Sequence, residues 1–197
     1  MKHPDMPPFQ TIVGLQAGLL GLGFILLKQL PQPTSQLGKL GPAAWFWGLI
    51  AALVTYALLA GINRYSKVMQ RNTLTTLGRL QPLFARLALW QLVLISALAG
   101  IGEELVFRAF LQPFISSYSN MWVGLIAASL IFALLHFMSW IYFVLALAMG
   151  LLLGAAYQLS QSLVLVMVWH GVYDLLALWV LVHAPQLLGL PAKPLAR

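Results

Sequence analysis

Ionisable side chains interrupt three long apolar runs of the sequence, where such groups are rare. They are Glu103, Glu104, Arg108, His136, His170 and Asp174. A charged side chain near the centre of a bilayer costs about 2.5 to 3.5 kcal/mol on the insertion scale, so residues of this kind are usually functional. A glutamate can act as general base on a water molecule, and an imidazole can polarise a carbonyl group or bind a metal. The residue types therefore predict a hydrolytic site.

The acidic residues of the chain are concentrated in these runs. The sequence has only four, and Asp5 in the polar N-terminal tail is the one that lies outside an apolar segment. A helix-packing ion pair, or a histidine bonded to a backbone carbonyl, would explain any one group alone. Because every acid of the apolar core falls in these groups, a shared site is favoured over scattered structural roles.

The spacing of the acidic pair predicts different surroundings for its two members. Glu104 and Arg108 are four residues apart and share a helix face, so the guanidinium can neutralise and orient that carboxylate. Glu103 is turned by about 100° from its neighbour. We therefore expect Glu103 to face a cavity while Arg108 holds Glu104.

Each histidine also has a neighbour at helical spacing. Phe132 lies four residues before His136, so its ring can pack beneath the imidazole and fix the rotamer. Asp174 lies four residues after His170, where its carboxylate can accept a hydrogen bond from a ring N–H and select the tautomer. Both spacings predict oriented imidazoles.

The residues leave the role of a metal open. Two histidines and a carboxylate, His136, His170 and Asp174, suit a zinc site with an open coordination position. The HExxH helix is absent, so the ligands would have to come from separate helices. The chain has no cysteine, which excludes thiolate ligands, a cysteine nucleophile and disulfides. Zinc and a metal-free mechanism are equally compatible with the sequence.

The composition predicts that an all-α bundle of transmembrane helices positions these residues. The chain has 197 residues, of which 61% are hydrophobic and 8% are charged, far from the values of soluble domains. The net charge of +7 comes from basic residues that lie mostly in loops and tails. This pattern is typical of membrane orientation and not of nucleic-acid binding. We expect an integral membrane protein surrounded by lipid, with no nucleic-acid partner.

The apolar runs predict about six spans. They cover residues 11–30, 43–62, 83–115, 121–137, 141–158 and 163–183. The last four spans would form a four-helix catalytic core at 83–184. A two-span region with a basic loop at 1–82 precedes this core, and a C-terminal tail at 185–197 follows it.

The third apolar run is too long for a straight helix across the membrane. Its 33 residues would extend about 50 Å against a hydrocarbon core of about 30 Å. Two solutions exist: an interfacial opening segment near residues 86–91, or a break at Gly100 and Gly102. We favour one long tilted helix with an interfacial start, because Glu103 then lies at a depth where the histidines can reach it.

The basic residues predict the orientation of the bundle. The segment at 63–86 contains no acid and carries Arg64, Lys67, Arg71, Arg79 and Arg86. The positive-inside rule places this segment in the cytoplasm. With six spans, both termini are then cytoplasmic, and the protein resides in the inner or plasma membrane.

Three motifs resemble those of a known family. EELVFR at 103–108, FALLH at 132–136 and HGVYD at 170–174 are similar to the EExxxR, FxxxH and HxxxN or HxxxD pattern of the CPBP family. This family contains CAAX prenyl proteases and bacteriocin-processing or immunity proteins, also called Abi. The resemblance extends over residues 85–181. It implies an intramembrane endopeptidase acting on a peptide or protein substrate that is prenylated or membrane-anchored.

The resemblance to the Rce1-type CAAX proteases also implies roles for the site residues. Glu103 would activate water with His136, His170 and position 174 would stabilise the oxyanion, and Glu104 and Arg108 would support them. Members are often labelled metalloproteases, although a metal-free mechanism has been argued for the CAAX branch. Asp174 stands where the CAAX proteases have asparagine, and an ionised carboxylate cannot donate a hydrogen bond to an oxyanion. This difference favours a role for Asp174 in orienting His170 or binding a metal.

Two other functional classes fit the same residues. A non-catalytic membrane immunity or partner protein would keep the motifs as structure. A proton- or cation-coupled transporter would use the carboxylates and histidines as a relay. The transporter is less favoured, because the sequence shows no inverted repeat with interrupted helices in two halves.

Overall fold

The computed structural model describes residues 9–29 and 41–190, which are almost entirely helical. The helices are α1 (Phe9–Leu27), α2 (Pro42–Tyr65), α3 (Lys67–Phe84), α4 (Leu89–Glu104), α5 (Gln112–Ser117), α6 (Met121–Leu135), α7 (Trp140–Ser160) and α8 (Leu163–His183). A π-helical segment, Leu105–Leu111, joins α4 to α5, and a 3-10 turn follows α8. These residues contain no β-strand, so the predicted all-α fold is confirmed. The predictions about Asp5, residues 30–40 and residues 191–197 fall outside the described residues.

The predicted count of six spans is not confirmed. Four helices, α1, α2, α7 and α8, are long and apolar enough to cross a membrane. A fifth span is reached only if α3 is counted together with the helical stretch that follows it. At 15 residues, α6 extends about 22 Å, which is less than the hydrocarbon thickness of about 30 Å. The apolar run of the fourth predicted span is therefore a helix too short to cross alone.

The third apolar run contains a break at its beginning. The chain is helical from Leu89 to Ser117, and this stretch is bent by 118° from α3. The break therefore lies just before Leu89, near the predicted interfacial start, and the helix continues through Gly100 and Gly102. A bend of 118° sets the axis of α3 roughly across the axis of this stretch. If α4 crosses the membrane, α3 therefore has the orientation of an interfacial helix.

Close packing of α4 against α8 brings two of the motifs together. A Cβ atom added to Gly100 would lie only 2.6 Å from the backbone nitrogen of Gly171. The two backbones can approach this closely because neither residue has a side chain. Glu103 and Glu104 follow Gly100 by about one turn, and His170 precedes Gly171. The contact therefore places the acidic pair beside His170.

A second close contact sets α1 against α4. A Cβ atom at Gly102 would lie 3.1 Å from the backbone nitrogen of Leu20. Gly102 is next to Glu103, so α1 covers α4 at the level of the candidate site. The first helix is thus part of the wall around the acidic pair.

Candidate active site

Glu103 is the point at which the three motifs meet. Its Oε2 atom lies 3.6 Å from Nε2 of His136 and 3.8 Å from Nε2 of His170. This oxygen is buried and has no hydrogen-bond partner among the described residues. The distances exceed those of direct hydrogen bonds, and polar atoms at such separations are commonly bridged by water. The site therefore presents a carboxylate oxygen and two imidazole nitrogens to one small volume.

The end of α6 orients His136. Its Nδ1 atom lies 2.8 Å from the backbone oxygen of Phe132, and a carbonyl oxygen can only accept a hydrogen bond. Nδ1 therefore carries a proton, and Nε2 of the neutral ring has a free lone pair directed to Glu103. The Phe132 ring packs beneath the imidazole, with ring centroids 4.3 Å apart, which confirms the predicted contact.

Glu104 holds the opposite side of the site. Its Oε1 atom accepts a hydrogen bond from Nη1 of Arg108 at 2.9 Å and lies 2.8 Å from Nδ1 of His170. All three side chains are almost completely buried, so each charge depends on its partners. Arg108 also donates from Nη2 to the backbone oxygen of Gly150 at 3.0 Å. The predicted pairing of Glu104 with Arg108 is confirmed, and the pair is tied to α7 and α8.

The contact of His170 with Glu104 corrects the prediction about its tautomer. We expected Asp174 to accept the ring N–H, but Glu104 takes Nδ1 at 2.8 Å. Oδ2 of Asp174 lies 3.5 Å from Nε2, the same nitrogen that faces Glu103. The reason is tertiary: α4 and α8 pack so closely that a carboxylate from another helix reaches the inner face of the ring. Asp174 is about one third exposed and borders the cavity described next.

A cavity of about 340 Å³ extends from these residues to α2 and α3. Glu103, His136 and Asp174 contribute to its lining, and the remaining wall is mostly apolar. Further polar side chains on the wall are Gln16, Tyr56, Asn63, Asn72, Thr73, Tyr142 and Tyr173. The cavity gives a substrate segment room beside the candidate base.

Some of these wall residues were missed by the sequence reasoning. Asn63 on α2 accepts a hydrogen bond from Thr73 on α3 at 2.8 Å. Ser139 donates to Asn72 at 2.6 Å. An amide or hydroxyl side chain within an apolar run could have indicated these wall residues, and Gln16 in α1 is the clearest example. Neutral side chains of this kind also occur singly in apolar helices without a functional role, so they are a weaker signal than charged ones.

The zinc site considered for His136, His170 and Asp174 stays a prediction. Across residues 9–29 and 41–190, no group of three or more His, Cys, Asp and Glu side chains is arranged to hold a metal ion. His136 and His170 face the carboxylate of Glu103, and Asp174 lines the same cavity.

Comparison with known proteins relates this part of the chain to a family. Residues 85–176 match the family model described as type II CAAX prenyl endopeptidase Rce1-like, and all six predicted site residues fall inside this segment. The chain is also 29% identical over 133 residues to the uncharacterized protein YpbD of Bacillus subtilis (strain 168). That alignment covers 66% of this chain and 64% of the relative, slightly less than two thirds of its length. No solved structure matches the chain.

Proposed function

Because residues 85–176 belong to the Rce1-like family of type II CAAX prenyl endopeptidases, we propose that this integral membrane protein is an intramembrane endopeptidase in which Glu103 activates water. The observation that carries the proposal is the bare Oε2 atom of Glu103, which faces Nε2 of both His136 and His170. A water molecule held there touches a base and an acceptor at once. The substrate is a peptide segment of a membrane-associated protein, prenylated or otherwise anchored.

The reaction begins with the removal of a proton from this water. Glu103 takes the proton, and Nε2 of His136 accepts a hydrogen bond from the second O–H group and so orients the lone pair. The water oxygen attacks the carbonyl carbon of the scissile peptide bond, and the carbonyl oxygen becomes an oxyanion. Glu103 then passes its proton to the amide nitrogen as the carbon–nitrogen bond breaks. The products are a carboxylic acid and an amine.

His170 stabilises the oxyanion in this scheme. Its Nδ1–H is bound to Glu104, so a second proton on Nε2 makes the ring an imidazolium that can donate to the oxyanion. Asp174 and Glu103 lie 3.5 and 3.8 Å from this nitrogen and favour the charged ring. Asp174 acts through His170 and does not itself donate to the oxyanion.

The decisive test compares wild-type protein with Glu103→Gln on a fluorogenic farnesylated peptide. Glutamine keeps the shape of the side chain but cannot take a proton, so cleavage should fall by about a hundredfold or more. The melting temperature should stay close to wild type, because the direct contacts of Glu104 with Arg108 and His170 remain. Equal cleavage by both proteins would overturn the assignment of Glu103 as the base. A cellular function that survives substitution of Glu103 and His136 together would favour the non-catalytic partner protein.

A metal measurement accompanies this assay. We expect cleavage to resist EDTA and the purified protein to contain no stoichiometric zinc by mass spectrometry. Zinc that drops in His136→Ala and His170→Ala variants would instead assign these residues as ligands, with Glu103 as the base of a metalloprotease.

A further inference from the structure

A glutamine from the first helix reaches the candidate base. Nε2 of Gln16 lies 3.4 Å from Oε1 of Glu103, the oxygen that does not face the histidines. The close approach of α1 to α4 at Gly102 makes this contact possible. Gln16 lies outside the segment that matches the family model, so neither the motifs nor the comparison assigns it a role.

The chemistry of the contact fixes the orientation of the Gln16 amide. An ionised carboxylate only accepts hydrogen bonds, so the amide must present its NH₂ group to Glu103. The carbonyl oxygen of Gln16 then points away from the carboxylate. This oxygen is buried and has no hydrogen-bond partner among the described residues, although the side chain borders the cavity.

A buried acceptor without a partner is unusual in a folded protein and indicates that a donor is supplied from elsewhere. The cavity beside Gln16 is the place where the proposed peptide substrate binds. The backbone N–H groups of a peptide are suitable donors. A side-chain amide can pair with a main-chain amide through its C=O and N–H groups, as two peptide groups do.

We propose that Gln16 is a positioning residue for the endopeptidase, an inference that rests on the function proposed above. Its NH₂ group holds Oε1 of Glu103 so that Oε2 faces the water. Its carbonyl oxygen accepts an N–H group from the main chain of the bound substrate. The first helix thereby completes a site whose charged residues all come from residues 103–174.

The test uses the full-length protein with Gln16→Met, which keeps the unbranched shape and removes both the donor and the acceptor. Thr11→Val is the matched control, because Thr11 is an exposed polar residue of the same helix. Cleavage of the farnesylated peptide is followed below the melting temperature of each variant. We expect Gln16→Met to lower kcat by about tenfold or more and to raise KM, as loss of a hydrogen bond to a charged group implies. Thr11→Val should match wild type in both constants.

The melting temperature separates positioning from a structural role. Gln16→Met should melt close to the wild-type temperature, because the removal of a buried acceptor without a partner offsets the loss of the hydrogen bond to Glu103. Wild-type kcat and KM in Gln16→Met would overturn the assignment, and so would a fall in kcat that tracks a lower melting temperature. The proposed protease function would still stand if Glu103→Gln lost cleavage. Cleavage that does not depend on Glu103 would overturn both.

Discussion

Two adjacent glutamates have opposite surroundings at the centre of the molecule. Glu104 is completely buried and shares one oxygen between Arg108 and His170. Glu103 borders the cavity, and its Oε2, unpartnered within the described part of the chain, faces two imidazoles, whereas the unpartnered Oε2 of Glu104 is not at the cavity. A carboxylate held by two donors is poorly suited to take a proton from water, whereas a free oxygen beside two imidazoles is well suited. The proposed base is therefore Glu103, and Glu104 is its structural neighbour.

This contrast predicts different consequences of the same substitution. Glu104→Gln leaves the buried guanidinium of Arg108 without its counterion, and breaking a buried pair typically costs about 3 to 5 kcal/mol. We expect Glu104→Gln to melt well below wild type and to lose activity with the fold. The measurement is thermal unfolding in detergent, with Glu103→Gln as the matched control. A Glu104→Gln protein as stable as Glu103→Gln would contradict the supporting role of the Glu104 and Arg108 pair.

A second prediction concerns Asp174. An asparagine keeps a carbonyl oxygen near Nε2 of His170 and adds a donor, so Asp174→Asn should retain cleavage within about tenfold of wild type. Asp174→Ala removes the contact altogether and should cleave more slowly than Asp174→Asn. Steady-state kinetics on the farnesylated peptide measure both. If the two variants are equally inactive, the negative charge of Asp174 is itself required.

The residues that the sequence predicted well are those paired within one helix. Phe132 with His136, and Glu104 with Arg108, follow from a spacing of four residues and are found in contact. The contact between Glu104 and His170 joins residues 66 positions apart. It depends on how α4 packs against α8, which a local pattern does not specify.

At the level of elements, the stretch from Leu89 to Ser117 decides whether a site exists. It stays helical through the acidic pair and crosses α8 at Gly100 and Gly171. The sequence predicted an apolar run here and an interfacial start near its beginning. A straight helix of 33 residues would be longer than the hydrocarbon core is thick. The predicted span at 121–137 is not confirmed, since it included His136 and Phe137, which lie beyond the end of α6.

The crossing of α4 and α8 gives a prediction at this scale. Gly100→Ala places a Cβ atom 2.6 Å from a backbone nitrogen that cannot move aside. Overpacking of this kind costs about 1 to 3 kcal/mol, and the separation of the helices should move His170 from Glu103. We expect lower stability and a loss of cleavage in the farnesylated-peptide assay.

The matched control for this variant is Gly61→Ala on α2, where an added Cβ meets nothing within 4 Å. Alanine favours a helix over glycine by about 0.5 to 1 kcal/mol, so Gly61→Ala should be at least as stable as wild type and fully active. Equal behaviour of the two alanine variants would mean that the crossing tolerates a wider separation.

For the whole molecule, exposed cations on α3 mark one side of the bundle. The side chains of Lys67, Arg71 and Arg79 are exposed on α3, which has the orientation of an interfacial helix. Ser119, in the turn between α5 and α6, lies beyond the other end of the stretch from Leu89 to Ser117. The positive-inside rule therefore predicts that α3 faces the cytoplasm and that Ser119 faces the opposite side.

The absence of cysteine makes this orientation directly measurable. A membrane-impermeant maleimide should label Ser119→Cys but not Arg71→Cys in right-side-out membrane vesicles. Both variants should be labelled after the vesicles are opened with detergent. Labelling of Arg71→Cys alone in sealed vesicles would reverse the predicted orientation.

The buried ion pair also sets the order in which the protein can be made. Arg108 is satisfied by a carbonyl 42 residues further along the chain, and Glu104 by a histidine 66 residues further along. At about 5 to 20 residues per second, a ribosome needs several seconds to supply them. During that interval the nascent α4 carries charges that lipid does not solvate. The proposed site is therefore incomplete until α8 has been synthesised, and a product truncated before α8 leaves Glu104 without His170.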